Sequence, residues 1–105
     1  MNRSEKNILK KFINLMTDKV NIKKVILFGS RARGDADPDS DMDVLVIVNV
    51  LTEKEEDYIS ECAWEAGFEH GVVLVPVVFT VDEWENGPER FSLLAEAIRS
   101  EGVYL

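Results

Sequence analysis

The sequence has little of several features that would each indicate a particular class of protein. It has one cysteine, Cys62, so no internal disulfide can form, which suits the reducing cytoplasm where we expect the chain to act. Apolar runs such as VLVIV fall far short of the ~20 residues that span a membrane. The polar start MNRSEKNILKK does not have the pattern of a signal peptide. A membrane protein and a secreted disulfide-rich domain are therefore both disfavoured.

Positive charge is also scarce. Lysine and arginine number 12 against 20 aspartates and glutamates, which gives 105 residues a formal net charge of −8. Such a chain repels polyphosphate backbones, so we expect no broad nucleic-acid binding. Its cations nevertheless gather around the first apolar run, which leaves room for a small anionic ligand or a basic protein partner: Lys19, Lys23, Lys24, Arg31 and Arg33.

The apolar residues that are present recur with helical spacing in two segments. Residues 4–18 show this spacing behind Ser4, which we take as the N-cap. The second segment begins at Thr52, with Glu55 three residues later as a capping-box pattern, and continues to about Phe68. A last helix is predicted to open at Pro88 or Glu89, run through Arg99 and stop at Gly102.

Three apolar runs predict strands, at residues 23–28, 44–50 and 72–80. The second is nearly continuous and should be covered on both faces. Pro76 places the third at a sheet edge or bulge. Residues 81–87 are expected to be a loop, and the tail 103–105 to pack on its own sheet. We therefore predict one domain, residues 1–105, of α/β or α+β class: a two-layer domain with a small mixed sheet flanked by helices.

Between the first two strands, the stretch VILFGSRARGDADPDSDMDVLVIV contains a Gly-Ser pair that can serve a ligand. Gly29 lets the backbone turn sharply and lets a ligand come close to the main chain. Ser30, at the start of a short helical turn, can offer its hydroxyl and neighbouring N–H groups to phosphate oxygens. An ordinary strand-end turn explains the same pair.

The same stretch carries two aspartates, Asp41 and Asp43, at the start of the second strand. Residues two apart on a strand face the same side, with Cα atoms about 6.5 Å apart, so both carboxylates can converge on one cation such as Mg²⁺. The alternative is a pair of solvated acids neutralised by arginine. A calcium loop opening at Asp35 is excluded, because its sixth and twelfth positions hold Ser40 and Val46 instead of glycine and glutamate.

The combination Gly29-Ser30, ten residues, then Asp41-x-Asp43 on a strand–loop–strand resembles the minimal nucleotidyltransferase domain of the DNA polymerase beta superfamily. The phrases LFGSRARG and SDMDVLV carry the resemblance. The leading helix, and the closing helix followed by EGVYL, extend it over almost the whole chain.

The resemblance implies a role for each motif residue. Gly29 and Ser30 would hold the triphosphate of ATP, the substrate. Asp41 and Asp43 would bind the Mg²⁺ ions that bridge the phosphates as pyrophosphate leaves. Arg31 and Arg33 would neutralise phosphate oxygens; a pairing of Arg33 with either aspartate is an equal alternative.

One departure from the family pattern concerns a third carboxylate. Members usually carry it on a neighbouring strand, but the matching run at residues 72–80 contains no acid. Glu69 and Asp82 flank that run. Three alternatives stay open. Two carboxylates suffice for the chemistry, or one of the flanking acids or a partner protein completes the site, or the chain binds nucleotide without turning it over.

The size of the chain and the resemblance together suggest a function in trans. Similar stand-alone domains act as antitoxins beside a helical protein of the HEPN class, either transferring AMP to a tyrosine of that toxin or masking it by binding. We therefore expect a protein adenylyltransferase, with a catalytically silent binding module as the alternative. Adenylylation of a small molecule such as an aminoglycoside normally requires an added domain. A homo-oligomer stays open.

Overall fold

The computed structural model describes residues 1–87 and 92–105. The predicted opening of the last helix at Pro88 or Glu89 lies outside these residues. In chain order the elements are α1 (Arg3–Thr17), β1 (Ile22–Phe28), α2 (Ser30–Arg33), β2 (Met42–Val48), α3 (Glu53–Phe68), β3 (Leu74–Thr80), α4 (Val81–Asn86), α5 (Ser92–Glu101) and β4 (Val103–Tyr104). Within the described part of the chain, no helix is both long and apolar enough to cross a membrane.

The four strands form one mixed sheet in the order β3-β2-β1-β4. Strand β1 is antiparallel to both β2 and β4, whereas β2 and β3 run parallel. The predicted mixed sheet flanked by helices is confirmed. Strand β3, which contains Pro76, lies at the edge of the sheet as predicted, because proline cannot donate a ladder hydrogen bond.

Strand β2 is buried on both faces, as its continuous apolar run predicts. Val44, Val46 and Val48 pack with the buried stripes of α1 and α3. Leu45 and Ile47 point to the opposite face, where they pack with residues of β3, α4 and α5. Helices thus cover both faces of the sheet. The charged residue of β2 is Asp43, near the N-terminal end of the strand.

Two local predictions differ from the structure. Helix α1 is capped by Asn2, not Ser4: the Asn2 side chain accepts from the Glu5 N–H, and the Glu5 carboxylate accepts from the Asn2 N–H, both at 2.8 Å. The expected loop at 81–87 is mostly helix α4. Thr80 and Glu83 form its capping box, a pattern that the sequence contains and that overrides the expectation of a loop.

The C-terminal tail packs on its own sheet, as predicted. Val103 and Tyr104 pair with Leu27 and Ile26 of β1. The chain reaches this position past Gly102, where a Cβ atom would lie closer than 3.0 Å to the Ile98 carbonyl oxygen and to the Ile26 side chain. Glycine is required here because the chain passes directly over β1.

Candidate functional site

The Gly-Ser turn and the aspartate pair meet at one end of the sheet. Phe28, the last residue of β1, pairs with Asp43 of β2. Gly29 and Ser30 therefore follow directly beside Asp43, and the loop over residues 34–41 returns the chain to the same place. The antiparallel pairing of β1 and β2 brings together two motifs that lie ten residues apart in the sequence.

Gly29 packs its backbone against the Asp43 carboxylate. Its φ of 76° and ψ of −159° lie in a region that only glycine adopts without strain. A Cβ atom at this position would lie closer than 3.0 Å to Asp43 Oδ2 and 3.3 Å from its Cγ. Glycine is thus required by the backbone conformation and by the closeness of the carboxylate.

Helix α2 follows directly from this turn. The Gly29 carbonyl oxygen accepts from the N–H groups of Ala32 and Arg33, each at 3.1 Å. The N–H groups of Ser30 and Arg31 belong to the first turn of the helix and so have no acceptor within it. Such groups, together with the half-buried Ser30, form the type of surface that accepts phosphate oxygens.

The two aspartates flank Met42, whose side chain is fully buried in the core on the other face. Asp41 is exposed and Asp43 is half-buried. The pKa of Asp43 is raised, first by burial and then by repulsion from Asp41, while Arg33 acts to lower it. The two carboxylates are thus close enough to interact, and the attraction of Arg33 does not offset burial and their mutual repulsion.

This arrangement fits a magnesium ion. Carboxylate oxygens are the hard ligands that Mg²⁺ prefers, and a cation would relieve the repulsion between Asp41 and Asp43. Among residues 1–87 and 92–105, no cluster of three or more acidic, histidine or cysteine side chains is placed to hold a metal ion. A metal ion bound to the pair would therefore complete its coordination with phosphate oxygens and water.

Arg33 is the guanidinium that faces this region. It is partly exposed and pairs with Asp35 and Glu101, each at 3.3 Å, and the hydrogen bonds to them raise its pKa. The alternative pairing with Asp41 or Asp43 is replaced by these two partners. Exposed ion pairs contribute little stability, so Arg33 can exchange its partners for phosphate oxygens at low cost.

Arg31 has a different environment from the one expected of a phosphate ligand. It is 8% exposed and pairs with Glu5, which is 6% exposed, at 3.1 Å. Its Nε and Nη2 donate to the Ser40 carbonyl oxygen at 3.0 and 2.7 Å, and Nη2 also donates to the Pro38 carbonyl oxygen at 3.1 Å. Arg31 therefore fixes the backbone immediately before Asp41, and its donors are occupied inside the protein.

The three lysines of the predicted basic cluster lie at the opposite end of β1. Lys23 and Lys24 are near the start of that strand, whereas Gly29 follows its end. At about 3.3 Å per residue, five or six residues of strand separate the lysines from the turn by roughly 17–20 Å. The cations therefore do not surround a single anion site.

Neither acid that flanks β3 joins the aspartate pair. Val75 is the residue of β3 that pairs with Asp43, and Val77 pairs with Leu45, so the β3 positions on this face are apolar. Glu69 forms an ion pair with Lys11 at 3.7 Å. Asp82 follows the C-terminal end of β3, far from Asp43, and accepts from Asn86 at 3.2 Å.

Three residues near the site are absent from the sequence-based prediction: Glu5, Ser40 and Glu101. Glu5 has a local signal, since it stands three residues after Asn2 in a capping pattern. Ser40 acts through its carbonyl oxygen, which no side-chain pattern reveals. Glu101 reaches Arg33 from 68 residues away, and no local pattern predicts that contact.

Comparison with known proteins identifies the family. Residues 9–105 match the nucleotidyltransferase domain. Two Methanocaldococcus jannaschii proteins are similar. "Putative protein adenylyltransferase MJ0604" is 36% identical over 77 residues, which cover 71% of this chain and 73% of that protein. "Putative protein adenylyltransferase MJ0141" is 35% identical over 89 residues, which cover 77% and 88%.

Solved structures share the fold. A crystal structure of a toxin-antitoxin with AMP-PNP aligns with a TM-score of 0.64 at 20% identity, covering 90% of this chain and 69% of that one. A structure described as a "putative nucleotidyltransferase from Sulfolobus solfataricus" aligns with a TM-score of 0.51 at 16% identity, covering 99% and 86%. Together with the family match, these likenesses confirm the resemblance drawn from the sequence: the chain belongs to the nucleotidyltransferase domain family.

Proposed function

We propose that this chain is a Mg²⁺-dependent adenylyltransferase that transfers AMP from ATP to a hydroxyl group of a partner protein, and that it acts as an antitoxin. The acceptor is a tyrosine of a HEPN-type helical toxin. The observation that carries the proposal is the packing of Gly29 directly against the Asp43 carboxylate. It brings a phosphate-binding turn and a cation-binding pair into one site.

The site residues have distinct roles in this proposal. The Gly29-Ser30 turn binds the phosphates, and Arg33 leaves its exposed partners to neutralise phosphate oxygens. Asp41 and Asp43 would hold Mg²⁺, which would supply positive charge to neutralise the oxygens of the reacting phosphate. Arg31 takes no part in phosphate binding, because it is buried against Glu5 and holds the Ser40 carbonyl.

The reaction is an in-line displacement at the α-phosphorus of ATP. The acceptor hydroxyl oxygen forms a bond to this phosphorus, the bond to the oxygen that bridges to the β-phosphate breaks, and pyrophosphate leaves. The hydroxyl proton passes to solvent or to a base of the partner. Because β3 offers only apolar residues beside Asp43, this chain provides no general base from that strand. Such help is typically worth about 10²–10⁴-fold, so we expect slow transfer.

The similar proteins support the proposal. Two relatives carry the name of protein adenylyltransferases, and a protein of the same fold is part of a toxin-antitoxin crystallised with AMP-PNP. A nucleotide site and a protein partner are therefore both represented among the proteins that this chain resembles.

A second candidate function is a binding module that neutralises its partner without catalysis. The apolar Val75, which occupies the β3 position beside Asp43, favours it. In that case nucleotide binding would stabilise the chain but transfer nothing.

The test incubates the chain with a HEPN-type protein encoded beside it, Mg²⁺ and ATP labelled at the α-phosphate. We expect label on the partner and release of pyrophosphate. Asp41→Asn plus Asp43→Asn should abolish both. Asp37→Asn plus Asp39→Asn, which removes two exposed acids of the neighbouring loop, is the charge-matched control and should leave transfer unchanged.

Two outcomes would contradict the transferase. Label that persists in the Asp41→Asn plus Asp43→Asn variant would place the chemistry elsewhere. A tight complex that survives these substitutions, with no label on the partner at any metal concentration, would establish the binding module instead.

A further inference from the structure

An exposed aromatic ridge runs along the solvent-facing side of α3. Trp64 is 67% exposed and Phe68 is 65% exposed. Their rings stack on each other, with centroids 4.8 Å apart and planes inclined by 29°. Large aromatic side chains gain more than other residues from being covered, so a stacked pair left mostly in water indicates an interaction surface.

The ridge is one wall of a groove. Between α3 and the start of β3 lies a cavity of about 480 Å³, lined by Trp64, Phe68, Val73 and Pro76 among others. Val73 is itself 61% exposed. Strand β3 forms the edge of the sheet, and no other strand among the described residues pairs with its outer side. The result is a continuous apolar trough at the rim of the fold.

An acidic ridge lies beside the aromatic one. Residues four apart on a helix are neighbours on its surface. Trp64 and Phe68 form one such row, and four exposed acids form the next: Asp57, Glu61, Glu65 and Glu69. Only Glu69 among these four has an ion-pair partner within the described residues, Lys11 at 3.7 Å. Like charges at this spacing repel each other, so the row favours a cationic partner.

We propose that this groove binds a basic amphipathic helix of a partner protein. The apolar side of that helix would cover Trp64 and Phe68, and its lysines and arginines would face the acidic ridge. Such helix-in-groove binding uses one apolar row and a flanking charged row. A second copy of this chain fits poorly, because it would bring its own acidic ridge and a net charge of −8 against the first.

The groove lies next to the candidate site. Val75 pairs with Asp43, and adjacent strands are about 4.8 Å apart. Val73 stands two residues before Val75, just ahead of the first residue of β3. A helix seated on the groove would therefore hold the rest of its protein at the sheet edge nearest Asp43, whose carboxylate points to the face opposite α3. That the docked protein is the AMP acceptor rests on the proposed function; the binding itself does not.

The probe is a synthetic amphipathic helix of lysine and leucine with a fluorescent label, and its counterpart has glutamate in place of each lysine. We expect the lysine peptide to bind, as followed by anisotropy, with an affinity that falls as salt is added. In a Trp84→Phe background, binding should shield Trp64 from acrylamide quenching.

Two surface variants test the two ridges separately. Trp64→Ser plus Phe68→Ser, and Glu61→Lys plus Glu65→Lys, should each weaken peptide binding at least tenfold. Their controls are Leu93→Ser, which removes another exposed apolar side chain on α5, and Glu85→Lys plus Glu96→Lys, which makes the same charge change elsewhere. Both controls should bind the peptide as the wild type does.

Three results would overturn the proposal. Equal binding of the lysine peptide to the Trp64→Ser plus Phe68→Ser variant would show that general acidity suffices. Equal binding of the glutamate and lysine peptides would show that the acidic ridge does not select a cationic partner. Self-association of the chain that shields Trp64 from acrylamide before any peptide is added would mean that a second copy of the chain occupies the groove. Asp41→Asn plus Asp43→Asn should keep full peptide binding, so a failure of transfer alone contradicts the proposed function and leaves this surface intact.

Discussion

Replacing Gly29 by alanine tests the contact on which the candidate site depends. The added Cβ atom would lie closer than 3.0 Å to Asp43 Oδ2, so the carboxylate must move. Gly34, five residues later, is the matched control. It also has a positive φ, 82°, but nothing lies within 4 Å of a Cβ atom placed there. Gly34→Ala therefore introduces backbone strain without displacing Asp43.

The magnitudes follow from the two backbone conformations. Gly29, at φ 76° and ψ −159°, lies in a region where other residues cost of order 1–3 kcal/mol. Gly34, at φ 82° and ψ 12°, is left-handed, where alanine costs about 1–2 kcal/mol. For a cost in the middle of the range given for Gly29, Gly29→Ala should lower the melting temperature by roughly 10 °C. Gly34→Ala should lower it by a little less.

Nucleotide binding should distinguish Gly29→Ala from Gly34→Ala, although their stabilities are similar. Calorimetric titration with Mg²⁺ and a non-hydrolysable ATP analogue should show binding that is about tenfold weaker or worse for Gly29→Ala, which corresponds to ~1.4 kcal/mol. Gly34→Ala should bind as the wild type does. In an Asp43→Ala background the clashing oxygen is gone, so Gly29→Ala should cost less stability than in the wild type.

Two results would contradict this prediction. One is equal nucleotide binding by the two glycine variants at a temperature where both are folded. The other is a stability cost of Gly29→Ala that is the same with and without the Asp43 carboxylate. Either result would mean that the close approach of turn and carboxylate has no role.

Two further predictions concern the buried and the half-buried charges. Arg31→Met should lower the free energy of unfolding in urea by about 3–5 kcal/mol, because it leaves the buried Glu5 carboxylate without a countercharge. Adding Glu5→Leu should recover part of that loss. Burial and Asp41 raise the pKa of Asp43 above its ordinary 3.8, so the folded chain holds this proton more tightly than the unfolded chain and loses stability as the pH rises through the raised pKa. Asp43→Asn should therefore melt at a higher temperature than the wild type at pH 7, and a difference that does not shrink as the pH falls toward 3.8 would contradict this account.

The sheet and its apolar faces could be predicted because the burial of a strand follows from the pattern of apolar residues within the strand itself. The continuous run at residues 44–48 requires cover on both sides, and the structure places helices on both. Pro76 excludes a central position for β3. The two missed local features, the Asn2 cap and helix α4, also had sequence signals, since each has a cap residue followed three residues later by glutamate.

The separate roles of Arg31 and Arg33 follow from helix geometry. Residues two apart on a helix do not face the same side. Once Ser30–Arg33 is a helical turn, the two guanidinium groups must point apart, and only one can face the site. Which one faces it depends on Glu5 and Glu101, which lie 26 and 68 residues from their arginines. Contacts at such separations have no local signature.

Among the described residues, this division of the arginines leaves little positive charge at the candidate site. With Arg31 neutralised by Glu5, Arg33 is, among residues 1–87 and 92–105, the arginine that faces Asp35, Glu101 and the aspartate pair. A triphosphate would add further negative charge to the same place, so ATP without a metal ion should be repelled. We therefore expect calorimetry to detect ATP binding with Mg²⁺ and not with a chelator. Asp41→Asn plus Asp43→Asn should bring the ATP affinities with Mg²⁺ and with a chelator closer together, because it removes the repulsion. Tight binding of metal-free ATP by the wild type would show that the aspartate pair does not serve to hold a cation.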